Sequence, residues 1–394
     1  MAAYVDAAIW WLAGRKWCHL LADDVDELHR FAAQLGLRRA HYQGPPRTKT
    51  PHYDLTSVER DRAIRLGAIP VSREKIVEVA RKLRTAHGPA GRRDTAITHV
   101  HQIALDADAA RAMISEQFPE YRDERIEPLG AAGTDHAIFR IGSSAAARFA
   151  MRRADPEQSA KTLEREAAAM TEFATFCRVA APRPIGFGRP GSRYPMPWLV
   201  QSWIEGDVAT HDGLADSATF ALDIANVIAA LREAPTHGRR FAREGRGGVL
   251  ADHDDWLEVC FRNSENLLDV QRLRQLWARL RELPPAKADV MNHGDLIPGN
   301  VLVRGERLVG VLDSGGFGPA DPALDLVAAW HLFDRDRRRI IRDRLASTEA
   351  EWKRGAAWAF QQAIGLVWYY RKSKRAMSEL GRSTLARILD DPAI

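Results

Sequence analysis

Hydrophobic residues along the chain recur at two spacings, and the switches between them mark out its elements. Near the start, Ala3 to Val5 suits a short strand. After Asp23 or Asp24 as a cap, Val25, Leu28, Ala32 and Leu35 repeat at helical spacing, and Gly36 stands where such a helix ends. Thr56 with Glu59 three residues later forms a capping box and predicts a second helix that ends near Gly67. Ile69 to Val71 predicts a strand, and Ile76, Val79, Ala80 and Leu83 predict a third helix opened by Ser72. Residues 1–88 are therefore expected to form a small α/β domain.

Gly88-Pro89-Ala90-Gly91 predicts a hinge, and the helical pattern from Asp94 to Phe118 makes 89–120 a helical linker. The period then changes. Ile126 to Gly142 reads as strand, loop, strand; Ala147 to Arg152 is a third strand, and a helix starts at about Pro156. Pro195 to Gly206 reads as a further strand running into a connection. Beyond Ala209 the helical period dominates. Phe220, Ile224, Val227, Ile228 and Leu231 make one stripe; Leu267, Val270, Leu273, Leu276, Trp277 and Leu280 make another. The expected division is a strand-rich lobe at 121–205 and a helical lobe at 206–394.

Composition changes this picture little. With 394 residues, 45% of them hydrophobic and 28% charged, the chain has the make-up of globular protein with two or three domains. No apolar run is long enough to span a bilayer, and the apolar cluster Ala7 to Ala13 follows Asp6 rather than a basic region, so no secretory signal, no membrane partner and a cytoplasmic location are expected. The three cysteines are isolated, with no Cys-x-x-Cys spacing, so they suggest neither a disulfide framework nor a zinc site. The net charge of +5 is mild. The densest basic run, Arg335 to Arg344, is broken by aspartates and reads as a solvated helix face, so nucleic acid is not an expected partner.

The candidate chemistry lies late in the chain. His293-Gly294-Asp295-Leu296-Ile297-Pro298-Gly299-Asn300 sets an Asp and an Asn five residues apart in a bent loop, and a hairpin then delivers Asp313 at a strand end. Phosphoryl transfer needs such a set: one carboxylate to take the proton of an acceptor hydroxyl, and two oxygen ligands for Mg²⁺ on nucleotide phosphates. Upstream, Gly130 and Gly133 flank a turn that can bring backbone amides to phosphates, or can simply turn a hairpin. Arg148 and Arg152 share one strand face, and Arg152 is the expected phosphate cation. Glu166, on the apolar side of the next helix, is its expected partner. Gln201 and Trp203 sit where a connection between lobes can border a nucleotide base. Asp252, Asp254, Asp255 and Glu258 form an acidic cluster that suits either a cationic acceptor or helix capping. In the first ninety residues, Asp6, His19, Asp23, His29, His52 and Asp54 are metal-ligand types, with His52 and Asp54 able to face one way on an extended segment.

Taken together, these residues are similar to known families. His293 to Val303 resembles the catalytic loop of the aminoglycoside phosphotransferase and choline kinase-like family. Gly310-Val311-Leu312-Asp313-Ser314-Gly315 resembles its metal segment, Asp321 to Leu326 its following signature, and Val200 to Gly206 its interlobe segment. The likeness runs from about 126 to the C-terminus. It implies an α+β bilobal protein kinase-like fold behind the α/β N-terminal domain, with a β-rich nucleotide lobe and a mostly helical C-terminal lobe. It also implies Asp295 as base, His293 as a second loop residue beside it, Asn300 and Asp313 as Mg²⁺ ligands, and ATP (or GTP) as phosphate donor. The expected partner is a small-molecule hydroxyl acceptor: an aminoglycoside, a macrolide or a related metabolite. Ser314, where the family usually has an aromatic, and the apolar Ile297 depart from its pattern. Two alternatives are a catalytically silent nucleotide-binding module and a bifunctional protein with a metal-dependent N-terminal domain. Residues 1–88, through Tyr4-Val5-Asp6, Pro51-His52-Tyr53-Asp54 and Gly67-Ala68, resemble a small bacterial domain of unknown function.

Overall fold

In a computed structural model the chain divides into two compact units, Met1–Gln102 and Ile103–Ile394. The structure describes residues 2–8, 10–12, 15–37, 39–43, 50–85, 103, 105–129, 136–242 and 246–394.

The first unit is built on a mixed sheet. Its strands are β1 (Ala3–Val5), β2 (Trp10–Leu12), β3 (Arg15–Ala22), β4 (Tyr42–Gln43), β5 (His52–Thr56) and β6 (Ile69–Pro70). They run in the order β4-β5-β3-β1-β6, with β2 paired to β3. Helices α1 (Val25–Gln34), α2 (Ser57–Arg65) and α3 (Arg73–Thr85) complete it. The caps work as the sequence implies: Asp24 accepts from Glu27 N, and Thr56 and Glu59 cap each other reciprocally. Alternation along the central strands sends Cys18, Leu20, Tyr53 and Leu55 into a core with Leu28, Phe31 and Ala32 of α1. The apolar cluster near Ala7 contributes to β2, one arm of a hairpin with β3.

The second unit opens with α4 (Ala107–Gln117), then β7 (Ile126–Leu129), β8 (His136–Ile141), β9 (Ala145–Ala150), α5 (Pro156–Phe176), β10 (Pro184–Gly188) and β11 (Trp198–Ser202). The strands form an antiparallel sheet in the order β10-β11-β9-β8-β7. One face carries Phe139, Ala147, Phe149, Trp198 and Val200, which pack with Ala110, Met113 and Ile114 of α4. The helix at 107–117 therefore covers this sheet.

The remainder comprises β12 (Asp207–Val208), α6 (Ala218–Glu233), α7 (Asp254–Ser264), α8 (Val270–Leu280), β13 (Val290–Asn292), β14 (Val301–Arg304), β15 (Arg307–Val311), β16 (Gly318–Ala320), α9 (Val327–Leu332), α10 (Arg335–Arg344), α11 (Glu349–Tyr369) and α12 (Arg375–Leu389). Small ladders β12-β14-β15 and β13-β16 frame the loops between them. Beneath lies a large apolar core with Phe220, Ile228, Leu257, Trp277, Trp330, Trp358 and Phe360. Helix α10 is not wholly a solvated face: Arg338 is buried and pairs with Asp391 at 3.2 Å. Among the described residues, no helix is long and apolar enough to cross a membrane.

Candidate active site

The loop from His293 to Asn300 joins β13 to β14, and its shape is set by backbone groups that need partners. Asp325, buried in the short turn before α9, accepts His293 N at 2.8 Å through one oxygen and Gly294 N at 2.7 Å through the other. Gly294 has φ +81°, a conformation that costs an L side chain about 1–2 kcal/mol, so glycine belongs here. Burial pushes the Asp325 carboxyl above the usual carboxylate range, while His293 and the two amides pull the other way.

His293 is enclosed as well. Its Nδ1 receives the Asp295 N–H at 3.2 Å, which requires the ring proton on Nε2, and that proton is donated to Leu312 O at 2.8 Å. Both nitrogens are committed, and burial holds the ring below its ordinary pKa. Its geometry is that of a brace. Phe173 packs on the ring edge-on, with Phe317 behind it.

The same network reaches the metal-type residues. Asn300 donates from Nδ2 to Asp295 O at 2.9 Å and to Asp295 Oδ2 at 3.2 Å. Asn300 O accepts Leu312 N at 2.8 Å. The Leu312 peptide is thus tied to His293 on one side and Asn300 on the other, and Asp313 follows it directly. Asp313 has φ +57°, left-handed backbone that Asp tolerates better than most residues, and its side chain is half exposed. Asn300, whose amide nitrogen is spent on Asp295, has its amide oxygen left to offer, and Asp313 offers a carboxylate. Hard oxygen donors of this kind suit Mg²⁺.

Across the cleft the strands correct one expectation. On β9, Arg148 lies on the face opposite Phe149, and it points to the cleft because the other face is filled by the α4 core. Its Nη2 stands 3.3 Å from Asp313 Oδ1. Arg152 is exposed beyond the strand, which ends at Ala150. Arg148, not Arg152, is the cation beside Glu166. Burial raises the Glu166 carboxyl above its ordinary pKa, Arg148 opposes this, and Asp313 adds to it. Gly315 comes so close that a Cβ there would lie 3.1 Å from the Glu166 Cβ, which fixes glycine two residues after Asp313.

Gln201 and Trp203 lie half-buried where β11 leaves the sheet. Trp203 donates Nε1–H to Glu205 at 2.9 Å, and the Arg140 guanidinium lies 4.8 Å from the indole. Gly130 and Gly133 lie outside the described residues. Two members of the acidic cluster are paired within the protein. Asp254 accepts from Trp277 Nε1 at 2.8 Å and from Arg281, and Glu258 pairs with Arg274 through both oxygens.

One contact carries no sequence signal. Arg246, in the connection between α6 and α7, pairs with Asp295 Oδ1. Neither its spacing nor its neighbours mark it, because the pairing depends on how a long connection folds back over the loop.

A strand-rich lobe with a buried Arg and a half-buried Glu, facing a helical lobe with this Asp, Asn and Asp set, defines a kinase-like fold. Residues 125–358 match the model of the phosphotransferase enzyme family, more than half of the chain, and the chain belongs to that family. Solved structures of similar fold include the GDP and kanamycin complex of APH(2")-IIia, with 18% identity over 71% of this chain and 98% of that one, at a TM-score of 0.55. They also include the GDP complex of wild-type aminoglycoside 2'-phosphotransferase-IIIa, with 15% identity over 73% and 99% and a TM-score of 0.54. A third is the macrolide 2'-phosphotransferase type I, with 16% identity over 72% and 98% and a TM-score of 0.50. None of the curated proteins compared matches the chain. Residues 3–83 match the model of a protein family of unknown function.

Proposed function

We propose that the second unit transfers the γ-phosphate of ATP, or of GTP, to a hydroxyl of a small molecule of the aminoglycoside or macrolide kind, or of a related metabolite. The observation that carries this reading is the tying of Asp295, Asn300 and Asp313 to one another through the Leu312 peptide. Relatives of this fold solved with GDP, one of them also with kanamycin, and a macrolide phosphotransferase of the same fold support the substrate classes.

In this reading Asp295 accepts the hydroxyl proton as the acceptor oxygen bonds to the γ-phosphorus. The bond to the β,γ-bridging oxygen breaks and a nucleoside diphosphate leaves. Asn300 and Asp313 would hold Mg²⁺, which would neutralise phosphate charge. Arg148 supplies the fixed cation from the strand side, and Glu166 limits its movement by attraction. Arg246 shares Asp295 with the incoming hydroxyl, so an acceptor that displaces it must offer a donor in its place.

The test is nucleoside diphosphate release over a panel of aminoglycosides, macrolides, amino alcohols and sugars, with ATP and GTP each supplied with Mg²⁺. Acceptor-dependent release with at least one member, and a phosphorylated product by mass, is expected. Tight nucleotide binding with no product across the panel would favour a silent binding module.

A further inference from the structure

The first unit holds a cluster that the phosphotransferase site does not use. We propose that His19, His52 and Asp54 bind a divalent transition-metal ion of the Zn²⁺ class, with a coordination position left open for water.

The sheet register builds the cluster. On neighbouring strands β3 and β5, His19 and Asp54 stand directly opposite each other, and His52 lies two residues before Asp54, on the same face. Their neighbours Cys18, Tyr53 and Leu55 point the other way, into the α1 core. One ligand atom from each of the three side chains lies within 4.8 Å of the other two. Both imidazoles are buried, at 7% and 1% exposure, while the Asp54 side chain is open to 23%.

Hydrogen bonds at the far side of each ring fix which nitrogen is offered. His19 Nδ1 meets Asp6 Oδ2 at 2.8 Å, and the other Asp6 oxygen accepts His19 N at 2.6 Å. His52 Nδ1 meets the Thr50 carbonyl at 2.8 Å. A carboxylate and a carbonyl only accept, so each Nδ1 carries a proton, which leaves Nε2 as the nitrogen able to ligate. A histidine whose other nitrogen is held by a carboxylate or carbonyl is the usual arrangement behind a metal ligand.

The spacing also fits an ion better than a polar contact. His52 Nε2 and Asp54 Oδ1 are 3.6 Å apart, longer than an N–H···O bond. Ligand atoms around tetrahedral zinc, with bonds of about 2 Å, are about 3.3 Å apart. That pair is already near this value, and the wider separations close by side-chain rotation. The ring planes of His19 and His52 cross at 74°, so the imidazoles do not stack. Two nitrogens and one carboxylate favour Zn²⁺ or a similar first-row ion over Mg²⁺ or Ca²⁺, which take oxygen sets. Three protein ligands leave the fourth position for water.

The test uses the full chain carrying Asp313→Asn, so that the cleft's metal carboxylate does not compete. Chelator-washed protein is titrated with Co²⁺, followed by its visible absorption, and then with Zn²⁺ as competitor. One Co²⁺ per chain, displaced by one Zn²⁺, is expected. His52→Ala and Asp54→Asn should each weaken binding about 100-fold, and Asp6→Asn about tenfold or more. His29→Ala, whose ring contacts Tyr53 on the opposite face, should leave binding unchanged. If His52→Ala unfolds the unit by circular dichroism, the shape-preserving Asp54→Asn decides. Binding weaker than about 10 μM, or equal binding in Asp54→Asn and the parent, would overturn the proposal.

Discussion

Asp295, Asn300 and Asp313 are linked through main-chain groups, whereas Arg148 and Glu166 meet them only through side chains. On the first side, the Leu312 peptide and the Asp325 carboxylate close a set of short bonds within the protein. On the second, one guanidinium contact of 3.3 Å spans the cleft to Asp313. Asp295, Asn300 and Asp313 are thereby held in fixed relation to one another. The two sides should therefore fail differently when broken.

A large effect is expected at Asp313. Asp313→Asn keeps the shape but removes the carboxylate, and loss of several kcal/mol of charge stabilisation corresponds to about a thousandfold fall in transfer rate. Steady-state kinetics at saturating Mg²⁺ checks this. Asp325→Ala attacks the same side through stability. It leaves two enclosed backbone N–H groups without their acceptor, at about 1–3 kcal/mol each, so urea unfolding should show a loss of about 2–6 kcal/mol. The strand side should respond in the opposite manner. Arg148→Met is expected to cut transfer about a hundredfold, mostly as a raised KM for nucleotide, with Arg148→Lys recovering part of it. Arg152→Ala should stay within about twofold of the parent, which is the direct contrast between the two arginines.

A separate effect is a pH slope from the core beneath the loop. His331 is fully buried between Thr384 and Gln362, and burial pushes its pKa down to about 3. Its folded value lies below its unfolded one, so the unfolded chain binds the extra proton as pH falls below about 6.5. Stability from this group is present at neutral pH and is lost progressively toward pH 3, at up to about 1.4 kcal/mol per pH unit. His331→Gln should flatten that slope in unfolding curves measured from pH 7 to pH 4.5.

How much of this was legible beforehand follows the same division. The bent loop declares itself because Asp295, Asn300 and Asp313 lie within one short stretch, so local spacing implies spatial proximity. Fold class was readable for the same reason: strand-period and helix-period stretches are separated cleanly. Arg148 was harder. Two arginines share one strand face, and only the point where β9 ends and the helix α4 covering the other face decide between them. Helix α4 gives no sequence signal for the sheet it covers, since an amphipathic helix does not announce its partner. Arg246 was invisible, being joined to Asp295 only by the path of a connection. In the first unit, His19 is far from His52 and Asp54 in sequence, and only the β3–β5 register brings them together.

The central claim is that Asp295 takes the proton in phosphate transfer while the rest of the loop keeps its shape. Asp295→Asn tests it most directly, measured side by side for nucleotide affinity by titration and for product formation with labelled nucleotide and a working acceptor. The account predicts nucleotide affinity within about threefold of the parent and transfer reduced by about a hundredfold to ten-thousandfold. Transfer at the parent rate in Asp295→Asn would contradict it.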